Sequence, residues 1–236
     1  HRHRIAGSFS GSDRGIVESA VVTPGQDGND DLWLIVKRTI GGATRRTIEI
    51  KSVPFEYGEI ADAFEVDCGL TYDGAAVGTV TGLDHLEGET VDALADGVVY
   101  QGLVVATGAV SLPGGAMAAK WSVGLPYEAG ADTLELDVGG RDGSIVGRRK
   151  KVSKGILSLF ETDTTGLEVA SMQRGRWETV RIPSVVAPDG RANLFTGNVE
   201  VPIDDSWEGQ GRVRIRHTNP TPCTIRAFTP VFDAEA

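Results

Sequence analysis

Five cations within seven residues, Arg148, Arg149, Lys150, Lys151 and Lys154, form the sharpest charge feature of this chain. A run of that kind can meet an acidic protein neighbour or DNA phosphates, or it can guard a strand edge against aggregation. Asp27-Gly-Asn-Asp-Asp31 gathers oxygen ligands suited to Ca²⁺, yet it lacks the later glutamate of a helix-loop-helix calcium site and reads as a solvated turn. His1 and His3 would share a strand face; with His85 and His217 they complete the histidines, and none has metal-ligand spacing. Asp163-Thr-Thr-Gly166 misses an aspartic-protease triplet by one inserted residue and reads as a hairpin turn. There is no glycine-rich phosphate loop with its lysine and no Gly-x-Ser-x-Gly elbow. No catalytic residue, metal or cofactor is expected, and the chain is read as a non-enzyme. Trp33, Trp121, Trp177 and Trp207 read mostly as core anchors; a sugar-stacking platform is the functional alternative.

The elements that must carry these residues are strands. Glycine supplies 31 of 236 residues, about double its ordinary share, beside many Val, Ile and Thr. That mixture points to short strands joined by tight turns. In 1–60, Gly15 to Val22 ends at Pro24-Gly25, Asp31 to Ile40 runs into Gly41-Gly42, and Arg45 to Ile50 returns: three antiparallel strands of a sandwich sheet or a propeller blade. Leu32 to Val36 lacks a polar break, which predicts Trp33 buried on a sheet covered on both faces. Residues 55–64 hold the only stretch compatible with a short helix. Strands are then expected at 66–70, 77–83, 90–95, 98–106, 109–112, 120–125 and 133–136, broken at Asp73-Gly74, Glu87-Gly88, Asp96-Gly97 and Pro113-Gly-Gly115.

From about 146 the strands lengthen: 152–160, 177–182, 198–201, 211–217 and 224–232. Val152, Ile156 (after a slip at Gly155) and Phe160 are expected on one side, and Arg212, Arg214 and Arg216 on one exposed face. The fold expected is all-β: sandwich or propeller-blade-like sheets, with 61–145 a small inserted barrel or sandwich and 1–60 packing with 146–236.

Thirty-three acids against 23 Lys and Arg give a net charge of −10, which repels nucleic acid at long range. Cys68 and Cys223 are too few for a disulfide scaffold and are read as two reduced thiols, in keeping with folding in a cytoplasm, although a single bridge stays open. No apolar run is long enough for a membrane span. The opening on His1 rather than Met suggests a piece of a longer chain or a processed product.

Leu70-Thr-Tyr-Asp-Gly74, Gly82-Leu-Asp-His-Leu-Glu-Gly-Glu-Thr-Val91 and Ala95-Asp-Gly97 resemble tail proteins of tailed bacteriophages, above all the nozzle or tubular tail (packaged-DNA stabilisation) protein of short-tailed phages. Asp31 to Ile40 with Thr47-Ile-Glu49, Val123 to Tyr127, Gly147 to Val152, Leu194 to Gly197 and Gly211 to Ile215 extend the resemblance over most of residues 15–232. It implies the carboxy-terminal part of a longer structural protein that forms a homo-oligomeric ring in the virion tail, assembled in the host cytoplasm. Its neighbours would be an adaptor, spike or fibre, met through Arg148, Arg149, Lys150, Lys151 and Lys154. Packaged DNA would be retained and conducted without being tightly bound. The competing reading is a carbohydrate-binding or adhesin-like β module, marked by two or more tryptophans on one exposed face; a polysaccharide depolymerase with two facing carboxylates ranks behind it.

Overall fold

The computed structural model describes residues 15–25, 28–138, 143–182, 193–207 and 209–234. Their strands are β1 (Ile16–Pro24), β2 (Asp30–Ile40), β3 (Ala43–Ile50), β4 (Asp67–Val77), β5 (Thr79–Thr81), β6 (Thr90–Ala95), β7 (Val98–Val104) and β8 (Ala109–Ser111). They continue with β9 (Ala118–Leu125), β10 (Ala129–Asp132), β11 (Lys150–Thr162), β12 (Leu167–Ser171), β13 (Trp177–Thr179), β14 (Phe195–Pro202), β15 (Val213–His217) and β16 (Thr224–Ala234). Among the described residues helix is confined to single 3-10 turns, at Ile60–Asp62, Asp84–Leu86 and Pro113–Gly115. The protein is all-β, and its antiparallel sheets pack without closing a barrel. Two compact units divide between Tyr127 and Glu128.

In the first unit, β1-β2-β3 forms one sheet, β4-β9-β6-β7 a second and β5-β8 a two-stranded ribbon. Gly41 and Gly42 turn the β2-β3 hairpin at φ 56° and 77°, the left-handed conformation that a two-residue hairpin loop needs. Asp96-Gly97 does the same between β6 and β7, with Asp96 at φ 47°. The Asp96 carboxylate also accepts the backbone N–H groups of Ala119 (3.0 Å) and Lys120 (2.9 Å), so the turn is tied to β9. The core gathers Val91, Ala93, Trp121, Val123 and Leu125 with Leu83 and Leu86, and Ile40 joins it from β2. Ile60, Ala63 and Val66 are buried in the segment before β4, and the ring of Phe64 lies against Gly69. Asp73-Gly74 does not end a strand: β4 runs through it, and the irregularity is a bulge between Asp73 and Val77.

The second unit is a sandwich. Sheet β14-β11-β16 supplies Val152, Leu157, Leu159, Val199 and Val201; sheet β10-β15-β12-β13 supplies Leu167, Val169, Val213 and Ile215, and the two sets form one core. Two sequence expectations are corrected here. The expected strand at 133–136 is irregular, and residues 129–132 pair with β15 instead, just past the division of the two units. Against β16, the first register slip of β11 falls at Ser153, between Val152 and Lys154 and two residues before Gly155. That bulge sends Leu157 and Leu159 inward with Val152, and turns Ile156 and Phe160 to the other face. Gly155 stays glycine because a Cβ there would run into the ring of Phe228. Strand β12 carries no expectation from sequence; it follows directly on the Asp163–Gly166 turn.

Candidate functional site

The basic run does not act as one surface. Lys150 is fully buried, on the inward-facing side of β11, and its ammonium donates to Glu135 Oε1 at 2.8 Å. Glu135 also accepts the Gly147 N–H at 3.0 Å. Lys150 first, and that N–H second, hold the Glu135 carboxyl below the usual carboxylate range. Lys151 points to the opposite side of β11, and Lys154 lies outward, paired with Glu200 at 2.7 Å. Arg148 and Arg149 are exposed at the turn that leads into the strand. Strand alternation thus removes Lys150 from any contact surface, leaving Arg148, Arg149, Lys151 and Lys154.

Arg212, just before β15, and Arg214 and Arg216 within it are half-buried rather than free. Arg212 Nε donates to the Thr133 carbonyl at 3.2 Å, and Arg214 Nε to Asp132 at 3.1 Å. Arg216 reaches both Glu168 (2.7 Å) and Glu128 (3.0 Å) while its guanidinium lies 4.0 Å from the centre of the Trp177 ring. This outer face is an ion-pair ladder with its charges matched across strands.

A buried polar group lies behind the Asp163 turn. Asp163 Oδ2 accepts from Thr165 Oγ1 at 2.8 Å and from Thr221 Oγ1 at 2.7 Å, while Oδ1 accepts the Thr165 N–H at 3.0 Å. His217 Nε2 faces the Asp163 backbone carbonyl at 3.2 Å and Thr221 Oγ1 at 3.4 Å. An acid, an imidazole and a hydroxyl are together, but the acid holds the hydroxyl directly, with no imidazole between them to take its proton. All three are almost wholly buried. Burial pushes the His217 imidazole below its usual 6.5, against the pull of Asp163. The group fixes a turn.

Other buried charges also serve local structure. Arg38 is buried on β2 and makes a two-point pair with Glu49 of β3, one arm at 3.0 Å. Burial pushes the neighbouring Cys68 thiol up to about 11, against the pull of Arg38, which leaves it a poor nucleophile. Cys68 and Cys223 are not bridged to each other. Asp205 accepts the Val152 N–H at 2.9 Å and the Ser171 hydroxyl. Asp92 accepts the Gly102 N–H at 2.9 Å, and burial raises its carboxyl.

The motif residues 82–91 do similar work. Glu87 accepts the N–H groups of Thr107 (2.9 Å) and Gly108 (2.7 Å), which lowers its carboxyl, and Glu89 accepts the Gly41 N–H at 2.9 Å. Among the described residues no three His, Cys, Asp or Glu side chains are placed to hold a metal. His1, His3 and Asp27 lie outside the described residues; of the Asp27–Asp31 stretch, the Asn29 carbonyl accepts the Gly25 N–H at 2.8 Å, and Asp30 and Asp31 open β2.

Of the tryptophans only Trp121 is a core anchor, 2% exposed with its N–H on the Ala118 carbonyl at 3.0 Å. Trp33 is 38% exposed, so the expectation of a strand buried on both faces is wrong. Pairing explains it: Leu34, Val36, Arg38 and Ile40 alternate onto the side that reaches the core, whereas Trp33 and Ile35 fall on the other, exposed side. Trp207 is 45% exposed in the second unit. Trp177, half-buried beneath Arg216, lines a cleft of about 310 Å³ with Glu178, Thr179, Arg181, Val201 and Pro202.

The uncovered side of β1-β2-β3 is the largest surface feature sequence reasoning missed. Cross-strand register sets Val21, Trp33 and Ile50 in one row and Ser19, Ile35 and Ile48 in the next. All four aliphatic residues are exposed, Ile48 to 75%. Beyond them Glu18 binds Lys37 at 3.2 Å and Arg46 at 2.7 Å. Part of the signal was present in β3: Glu49 faces inward with Arg38, so its neighbours Ile48 and Ile50 had to face outward.

No protein-family model matches this chain, and no curated protein matches it significantly.

Proposed function

We propose that this chain is a structural component of a bacteriophage tail, part of a nozzle or tubular ring that retains packaged DNA and conducts it at infection. What supports the reading is the ordered set of short motifs, together with what the acidic and glycine residues of its strongest segment do. Asp96-Gly97, Glu87, Glu89 and Gly108 are turn-makers and turn-ties of a rigid all-β unit, the use a load-carrying scaffold makes of such residues. A net charge of −10 suits a wall past which DNA must slide. Arg148, Arg149, Lys151 and Lys154 then serve neighbouring tail proteins. Immunogold labelling of intact phage particles with antibody to this chain tests the reading. Label on a ring at the tail end is expected; label on the capsid, or on no particle, overturns it. The isolated chain should bind no duplex DNA at physiological salt, and micromolar binding abolished by reversing those four charges would instead make the run a DNA clamp.

A second reading, a glycan-binding module, draws on the cleft at Trp177, where an aromatic ring, Glu178, Thr179 and Arg181 line one hollow. Binding to bacterial envelope glycans that is lost in Trp177→Ala would favour it.

A further inference from the structure

The uncovered face of β1-β2-β3 has the composition of an interface core. A contiguous apolar patch formed by three strands is not ordinary surface. Its centre is Val21, Trp33, Ile35, Ile48 and Ile50, each between 38% and 57% exposed except Ile48 at 75%. The Trp33 indole N–H is already satisfied by Thr23 Oγ1 at 3.1 Å, so the face offers apolar area without an unmet donor. We propose that this face packs against the same face of a second copy of the chain, two sheets stacked about a two-fold axis that runs along β2.

Shape and charge both single out that occupant. A two-fold along β2 lays β1 of one copy over β3 of the other. Ser19 then faces Ile48 of the partner subunit, Val21 faces Ile50 of the partner subunit, and Trp33 and Ile35 meet their own counterparts at the axis, so apolar row lies on apolar row. The same rotation brings Glu18 over Arg46 of the partner subunit, and Lys37 to its own counterpart at the axis with Glu18 of each copy beside it, extending charge pairs the single chain already makes. Three strands spaced about 4.8 Å apart and about nine residues long, stacked on an equal sheet, remove on the order of 1,000 Å² from water, enough for a specific interface. Elsewhere among the described residues the exposed apolar side chains, such as Val53, Tyr57, Val104 and Leu134, do not form a three-strand face. The flat partner this face fits is therefore itself. Such a contact closes as a pair and is separate from any ring contact, so it does not rest on the tail reading.

Sedimentation of the whole chain from about 1 to about 100 µM tests this, the concentration range in which modest interfaces associate. A reversible dimer is expected. Each copy carries −10, so added salt should tighten it by screening repulsion. Ile48→Glu places a charge twice in the interface and should weaken association at least about 50-fold. Ile48→Ser, at a position too exposed to matter for folding, should weaken it in the same direction, and Val104→Glu should leave it unchanged. A monomer at every concentration overturns the proposal. So does a dimer that salt dissociates, or one that both Ile48 variants leave intact.

Discussion

Two small antiparallel sheets, β1-β2-β3 and β10-β15-β12-β13, solve the same problem in opposite ways. Each turns one face toward a core and must do something with the other. On β15 the outward positions are Arg214 and Arg216, met by Asp132, Glu128 and Glu168 on neighbouring strands or leads, so that face is complete in water. On β2 the inward positions include a charge, Arg38, and the outward ones are Trp33 and Ile35. Placing the ion pair inside and the aliphatics outside is the reverse of the usual partition. The comparison teaches that the first sheet is only half of a packed layer, whereas the second is finished.

The largest effect that sharpens this contrast comes from a pair of tryptophans. Trp121→Ala should cost the first unit about 3–5 kcal/mol, as for buried aromatics generally, whereas Trp33→Ala in the dilute chain should cost less than half as much. Urea unfolding of both variants decides it, and equal losses would mean the Trp33 face is covered after all.

In the second unit, Glu135→Gln leaves the buried Lys150 ammonium without its carboxylate and should lose about 3 kcal/mol. Lys150→Met removes the buried charge itself and should be milder, since Glu135 keeps the Gly147 N–H and some solvent. If the two losses are reversed in size, Lys150 is not the buried partner.

Acid should act through His217. Its folded-state pKa lies below the usual 6.5, so as pH falls the unfolded chain takes up a proton first. Stability of the second unit should therefore begin to drop below about pH 6.5, by up to about 1.4 kcal/mol per pH unit for one proton, until the folded imidazole is itself protonated. His217→Gln should remove that component of the slope; an unchanged profile would assign the acid sensitivity to carboxylates.

Smallest is the ladder. Arg214→Ala breaks a pair whose members are both more than two-fifths exposed and should change stability by no more than about 0.5 kcal/mol. A loss of several kcal/mol would show that the outer face of this sheet is covered like a core.

How much of this was legible follows from the range of each interaction. Gly41-Gly42 and Asp96-Gly97 announced their hairpins because a two-residue turn is decided by the φ its own residues accept. Arg212 to Arg216 announced an alternating strand for the same local reason. The β11 slip was placed two residues late, because the bulge at Ser153 is set by pairing of Val152 and Lys154 to Phe232 and Val231, some eighty residues away. Lys150 read as a surface cation in a basic run, yet that register carried it inward to meet Glu135.

By itself, then, the sequence determined an all-β chain, several of its turns, and the absence of an apolar helix long enough to cross a membrane among the described residues. Those follow from backbone preference and from composition, which act residue by residue. Only the tertiary structure decided which side of each strand faces a core. In β2 the uninterrupted run Leu32 to Val36 offers both sides equally, and the choice fell to Arg38 and Ile40, whose contacts with Glu49 and with the core come from distant segments. Strand alternation supplies two faces; what lies across from them settles which is buried.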